Sequence, residues 1–280
     1  MLNNRTYPSL EKEGFYFIVV VLCIYSFFPA IWLFLTSLKP TADIIQLPIK
    51  YLPIPITFEQ YGQVFSKAPF GRFILNSVTV SLGSTFLTVF IATLASYALA
   101  RLPVPGKKIW LTAFLLVSTY PLIALMVPLF QIFREIGLLN TYWALILPYS
   151  VFSLPISIWI LTTFFRDIPS DLEDAALIDG CSRIGTLVRV IFPLSAPGVA
   201  TASMITFVNS WNEFTLAFSL MSEEEMFTLP VGITMLRDQY TIPWGLISAG
   251  IMIAIVPLVV LIIFFQKKLI SGLTSGAVKG

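Results

Sequence analysis

Long apolar runs dominate the chain, and short polar stretches separate them. Six runs are long enough to cross a bilayer as helices, which takes about 20 apolar residues each: residues 15–38, 73–100, 109–133, 142–165, 195–220 and 244–265. Five hold no charged residue, and the fifth in order holds only Glu213. A membrane β-barrel would instead show segments of about 10 residues with alternating polarity. The pattern therefore predicts an all-α polytopic membrane protein. Its six-helix domain covers 15–266, with residues 1–14 before it and 267–280 after it. The first run exceeds the roughly 7–15 apolar residues of a secretory signal, and no small-x-small cleavage site ends it. A retained helix is expected.

The connections carry the next layer of information. Residues 39–71 hold Pro40, Pro48, Pro53, Pro55 and Pro69, a density that forbids a continuous helix. Thr57 with Gln60 three positions on predicts a capping box for one short helix there. The stretch 166–194 is more elaborate. In "PSDLEDAALIDGCSRIGTLVRVIFPL" (169–194), Ser170 reads as an N-cap with Glu173 closing a capping box. Asp171, Glu173 and Asp174 suit the positive end of the helix dipole. Gly180 reads as the residue past the helix end, so the helix spans about 171–179. Ser182 then caps a second helix that Pro193 stops. Leu172, Ala175 and Ala176 share one face, and Leu177 and Ile178 widen the apolar surface. An isolated helix this short is marginal in water, so the hairpin must dock. Its own membrane domain and a partner protein are both open as the surface.

Charge sets the expected orientation. Eleven of the 17 Lys and Arg residues fall in the loops on the side of the N-terminus, including 101–108 and 166–194. The excess of basic residues marks the cytoplasmic side. Both termini and the 169–194 hairpin are therefore expected in the cytoplasm. Composition agrees with membrane embedding: 57% of residues are hydrophobic and 11% charged, against about 25% charged in soluble domains. The net charge of +2 gives no reason to expect nucleic acid, and the lipid bilayer is the first expected partner.

Several chemistries are excluded. The chain has no histidine, which removes Ser-His hydrolysis and most zinc sites. Cys23 and Cys181 fall in a membrane helix and a cytoplasmic loop, so no disulfide is expected. "PVPGKKIW" at 103–110 lacks the first glycine and the hydroxyl of a phosphate loop. No catalytic or metal site is expected, and any ATP that drives the protein is used by another chain.

Within the membrane runs, Glu213 is the one ionisable residue. A charge at the bilayer centre costs on the order of 2.5–3.5 kcal/mol, so such residues face the protein interior. At about 1.5 Å per residue from the start of its run, Glu213 lies about 27 Å in, toward the outer end. With Asn209 and Asn212 it either lines an external gate of a pathway or caps a packed interface. Asn76, Ser77, Thr79 and Ser81 are expected to hydrogen-bond between helices. No internal repeat is evident, which counts against a secondary transporter built from repeated halves.

"EDAALIDG" followed by "VIFPL" resembles the EAA loop of binding-protein-dependent ABC importer permeases: Glu-Ala-Ala, three residues, Gly, then nine residues before Ile-x-Leu-Pro. Gly180 sets the register, placing Ala175 and Ala176 on the two alanines and Asp174, not Glu173, on the glutamate. Val190 and Phe192 replace the Ile and Leu, and Pro193 matches. "LTSLKP" (35–40), residues 76–101, "WNEF" (211–214) and "GLTSGAVKG" (272–280) resemble the MalG-type subunit of carbohydrate importers, so the resemblance covers nearly the whole chain. It implies the MetI-like six-helix permease fold of a type I importer. It also implies a loop that docks in a cleft of a cytoplasmic ATPase through Asp174, Ala175, Ala176, Leu177, Ile178 and Gly180, and a C-terminal tail at the ATPase dimer interface. The implied partners are a homologous second permease subunit, two copies of an ABC ATPase that use ATP and Mg, and an extracytoplasmic solute-binding protein. The implied setting is the inner membrane of a bacterium or archaeon, and the implied cargo is a sugar, polyol or oligosaccharide. The competing reading is a stand-alone ion-coupled transporter, which predicts intramembrane charges where this chain offers Glu213 alone. A membrane-embedded hydrolase is more distant still.

Overall fold

The computed structural model describes residues 9–237 and 241–275, with side-chain detail over 13–237 and 241–266. Those residues form helices and loops, with no strand among them. The chain divides into two compact units, Met1–Ala68 with Leu236–Ile253 and Pro69–Met235 with Ala254–Gly280.

In the first unit, α1 (Ser9–Ser37) is apolar on all sides, and its described face is exposed almost to its end. Such a helix belongs in hydrocarbon rather than water. Below it, Ser37 Oγ lies 2.9 Å from the Tyr61 hydroxyl, and buried Lys39 donates to the Lys50 carbonyl at 2.6 Å. Two short helices follow, α2 (Thr41–Ile44) and α3 (Glu59–Lys67). The expected capping box at α3 does not form. Thr57 Oγ1 accepts from the Glu59 N–H at 3.1 Å, but the Gln60 amide turns inward and donates to Thr41 Oγ1 at 3.0 Å. Gln60 is 2% exposed, and a buried amide needs a partner more than a solvated helix end does.

The second unit holds the functional elements. Its core pairs α4 (Phe70–Arg101) with α7 (Trp143–Asp167), and α11 (Ala196–Asn212) packs on both. Small hydroxyl residues line these contacts. Ser84 donates to Ser210 at 2.8 Å, Ser96 to the Ile158 carbonyl at 3.0 Å, and Ser157 meets Thr206 at 3.2 Å. Small side chains let helix backbones approach closely in lipid, and their hydroxyls join them. Asn76 and Ser77 bond as expected: Asn76 donates to the Glu225 and Phe227 carbonyls and accepts from Tyr142, while Ser77 accepts from the Leu229 N–H. Among the described residues Thr79 bonds only to its own helix at Leu75, and Ser81 Oγ is buried without a partner.

Two expected spans are not continuous helices. Residues 109–133 divide into α5 (Lys107–Ser118) and α6 (Leu122–Glu135), bent by 87°. Pro121, which has no N–H to give a preceding turn, sits at the bend. The run 195–220 divides at Glu213 into α11 and α12 (Thr215–Leu220). Among the described residues four helices are long and apolar enough to cross alone, and the number reaches six if each of two bent pairs, Lys107–Ser118 with Leu122–Glu135 and Arg183–Leu194 with Ala196–Asn212, forms one span. The helix α13 (Leu229–Met235) packs its Gly232 against Phe73, and a Cβ there would stand 2.1 Å from the ring. Gly232→Ala is expected to lower stability by about 1–3 kcal/mol through overpacking, read as an earlier thermal unfolding of the purified protein. The last helix, α14 (Trp244–Ser275), continues past the expected limit at 265. Of the terminal segments read from the sequence, residues 1–8 and 276–280 lie outside the described residues.

Candidate functional site

The polar stretch after α7 folds as a helical hairpin. Its first arm, α8 (Ser170–Ile178), starts after Pro169, whose extended ψ of 136° turns the chain into the helix. No side chain caps this end, so the expected capping box of Ser170 and Glu173 is absent. Glu173 points inward instead and is 8% exposed. Tyr97 donates its hydroxyl to Glu173 Oε1 at 2.6 Å, and Arg101 Nε lies 3.6 Å from Oε2. The Arg101 guanidinium also donates to the Ile168 carbonyl just ahead of α8. Tyr97 and Arg101 belong to the last turns of α4, where a cation suits the negative end of the helix dipole. A desolvated carboxylate gains more from a guanidinium and a hydroxyl than from its own helix end in water.

This inward anchor sets the face that α8 shows. Ala176, three positions on, is buried beside Glu173. Asp174, Ala175 and Gly180 are exposed, Leu177 is half-buried, and Ile178 is 87% exposed. The expected shared face of Leu172, Ala175 and Ala176 therefore divides, because Ala176 turns in with Glu173 while Leu172 and Ala175 turn out. Leu177 is held partly against its own domain, and the freely presented apolar contact is Ile178. Among the described residues Asp174 makes no hydrogen bond or ion pair.

Gly180 closes the helix at φ 85°, with the Cys181 N–H returning to the Ala176 carbonyl at 2.9 Å. That left-handed turn is the one a glycine takes without strain. Ser182 caps the second arm as expected, accepting from the Gly185 N–H at 3.1 Å. The arm runs through α9 (Arg183–Thr186), a π turn at Leu187–Ile191 and α10 (Phe192–Leu194). Pro193 does not stop it, because the widened π turn absorbs the ring and the missing N–H. The stop comes at Ser195, where the chain bends 82° into α11. Leu187 and Ile191 join Tyr97, Leu161 and Phe165 in the core. Ile184 and Val188 are 70% and 60% exposed, and Val188 lines an apolar groove with Phe86 and Phe90 of α4. Ile184 and Val188 were not singled out in the sequence, where positions 184, 187, 188 and 191 read as one helical stripe and nothing separates the two exposed residues from buried Leu187 and Ile191.

The second candidate region lies at the joint between α11 and α12. Glu213 is extended there, with ψ 126°. Its carboxylate accepts from the Leu216 N–H at 2.9 Å, the Ala217 N–H at 3.2 Å and the Tyr149 hydroxyl at 2.5 Å. These donors satisfy the carboxylate and cap α12. Glu213 and Asn209 also line a cavity of about 230 Å³. Asn212 does not line it, since its amide returns to the Val208 carbonyl on its own helix at 2.9 Å. Of the expected trio, the structure brings two together. No cluster of three or more metal-ligating residues occurs among the described residues.

Residues 90–274, which include both the hairpin and the Glu213 joint, match the binding-protein-dependent transport system inner membrane component. The chain belongs to this family. The permease is 48% identical over 260 residues to the sulfoquinovosyl glycerol transport system permease protein SmoH of Agrobacterium fabrum, covering 93% of this chain and 91% of that protein. It is 41% identical to the trehalose transport system permease protein SugB of Mycobacterium tuberculosis, covering 91% and 93%. Its fold matches a bacterial ABC transporter involved in the import of the acidic polysaccharide alginate, with a TM-score of 0.81 at 21% identity over 94% of this chain and 99% of that one. The MetI-like permease fold expected from the sequence is therefore the fold found. The protein is a multipass membrane subunit of an ABC importer, and the stand-alone ion-coupled reading is set aside.

Proposed function

We propose that this permease carries a sugar or a related polyol or oligosaccharide, and that it forms half of the route across the membrane. Two of its relatives are named for sulfoquinovosyl glycerol and trehalose transport, and a third for trehalose and maltose. A second homologous permease supplies the other half. Two ATPase subunits bind ATP and Mg and supply the energy, this chain having no phosphate loop of its own, and an extracytoplasmic solute-binding protein delivers the cargo. Both termini and the hairpin lie on the ATPase side. Asn209 and Glu213 line the route.

One observation carries the coupling role: Ile178, 87% exposed at the end of α8, on a polar hairpin anchored by Glu173. Outside the membrane, an isoleucine this exposed gains about 1.5–3 kcal/mol on entering a protein cleft. The hairpin is thus a handle. Asp174, Ala175, Ile178 and Gly180 meet the ATPase, with Leu177 at the edge of that contact, and closure of the ATPase pair moves the helices between two states.

Reconstitution tests this reading. The permease, its partner permease and the ATPases are placed in proteoliposomes with the binding protein and offered radiolabelled trehalose, maltose and sulfoquinovosyl glycerol in turn. ATP-dependent accumulation of at least one is expected. Accumulation of none contradicts the sugar reading, and accumulation without ATP contradicts the coupling.

A further inference from the structure

The cavity beside Glu213 has the chemistry of a ligand site as well as of a wall. Among its lining residues are Tyr120, Tyr149, Ser153, Asn209, Ser210 and Glu213. Ser153 is 5% exposed while Asn209 and Tyr120 are exposed, and none of the three side chains has a hydrogen-bond partner among the described residues. Polar groups that line a cavity without a protein partner are free to meet water or a ligand. The Glu213 carboxylate is unevenly used: Oε2 takes the Tyr149 hydroxyl and backbone N–H groups, while Oε1 takes the Leu216 N–H alone, which leaves acceptor capacity on Oε1. The lining thus offers donors and acceptors together with tyrosine rings, and it contains no lysine or arginine.

We infer that this cavity is a transient subsite for a single uncharged sugar ring, held through its hydroxyls. Hydroxyls both donate and accept, as the Asn209 amide and the Ser153 and Tyr120 hydroxyls do. The apolar face of a sugar ring matches the flat tyrosine surfaces. An acidic substituent on the cargo would find no counter-charge here, so it stays outside the subsite. At about 230 Å³ the space is below the roughly 300–1,000 Å³ that encloses drug-sized molecules, and one ring of a longer cargo fits it. A shallow subsite of this kind suits a pathway, where binding must be weak enough to release. The inference rests on the reading of Asn209 and Glu213 as pathway residues.

Two measurements on the complete importer separate the subsite from the pathway. In the first, Asn209→Cys is placed in a permease with Cys23 and Cys181 replaced by serine, and labelling by a membrane-impermeant thiol reagent is followed with and without ATP. In the second, Ser153→Ala with Asn209→Ala is assayed for sugar accumulated per ATP hydrolysed at saturating binding protein, using trehalose or maltose, whichever the unaltered importer carries, because the rings of both are uncharged. Labelling of Cys at 209 is expected, with a fall of about fivefold or more in sugar moved per ATP, one hydrogen bond being worth about that factor. Labelling with an unchanged ratio overturns the subsite and leaves the pathway standing. No labelling in either condition overturns both, carriage of sulfoquinovosyl glycerol alone, whose one ring bears a sulfonate, overturns the subsite, and carriage of none of the three removes the sugar reading and the subsite with it.

Discussion

Arg101→Ala is expected to abolish uptake by the assembled importer and to lower the stability of the permease. The guanidinium faces the Glu173 carboxylate at 3.6 Å, with both side chains 10% exposed. Removing one member of a buried pair leaves the other charged and uncompensated, at a cost of about 3–5 kcal/mol. The separation exceeds hydrogen-bond length, and Tyr97 still donates to Glu173, so the lower end of that range applies. The loss falls where α8 joins α4, because Arg101 also holds the Ile168 carbonyl. A handle freed from α4 still reaches the ATPase, yet it no longer transmits the movement. Uptake is therefore expected to fall further than ATP hydrolysis. The double change Arg101→Ala with Glu173→Gln removes both charges and is expected to recover much of the stability. Thermal unfolding of the purified complex and uptake in proteoliposomes check both expectations. Equal unfolding temperatures for the single and double variants would remove the pair from the account.

Ile178→Asp is expected to act in the opposite way, sparing the fold and losing the partner. Ile178 is 87% exposed and contributes little to its own domain, so the change is expected to shift permease stability by no more than about 0.5 kcal/mol. Burying an isoleucine in a protein contact is worth about 1.5–3 kcal/mol, and an aspartate there adds the desolvation of a charge. Each 1.4 kcal/mol is about a factor of ten in affinity. ATPase recovered with the tagged permease is therefore expected to fall at least tenfold while membrane insertion is unchanged. Full recovery of the ATPase would show that the outward face of α8 is not the contact.

Membrane runs were legible because a spanning helix has to be continuously apolar, whatever else it does. The breaks within them were less legible. Pro121 bends the chain at the junction of α5 and α6, yet Pro148 and Pro155 sit inside the unbroken helix α7, so a proline alone does not mark a break. Gly180 was legible because its turn needs a positive φ, and Ser182 because its cap is local. Glu173 was not. Its spacing from Ser170 fits a capping box, but the carboxylate is taken by Tyr97, 76 residues away, and no local pattern records a tertiary partner. The same holds for Glu213, whose place within an apolar run was readable while Tyr149, 64 residues distant, was not. Ile184 and Val188 fall on one helical stripe with buried Leu187 and Ile191, so the pattern did not set them apart, and the π turn that does was not readable.

Affinity isolation of the tagged, unaltered permease from its native membrane in mild detergent tests the central claim most directly. The account predicts that an ABC ATPase and a second six-helix permease come with it, and that the isolated assembly hydrolyses ATP. A permease recovered alone, or only with copies of itself, from membranes that still accumulate its cargo without ATP would contradict it.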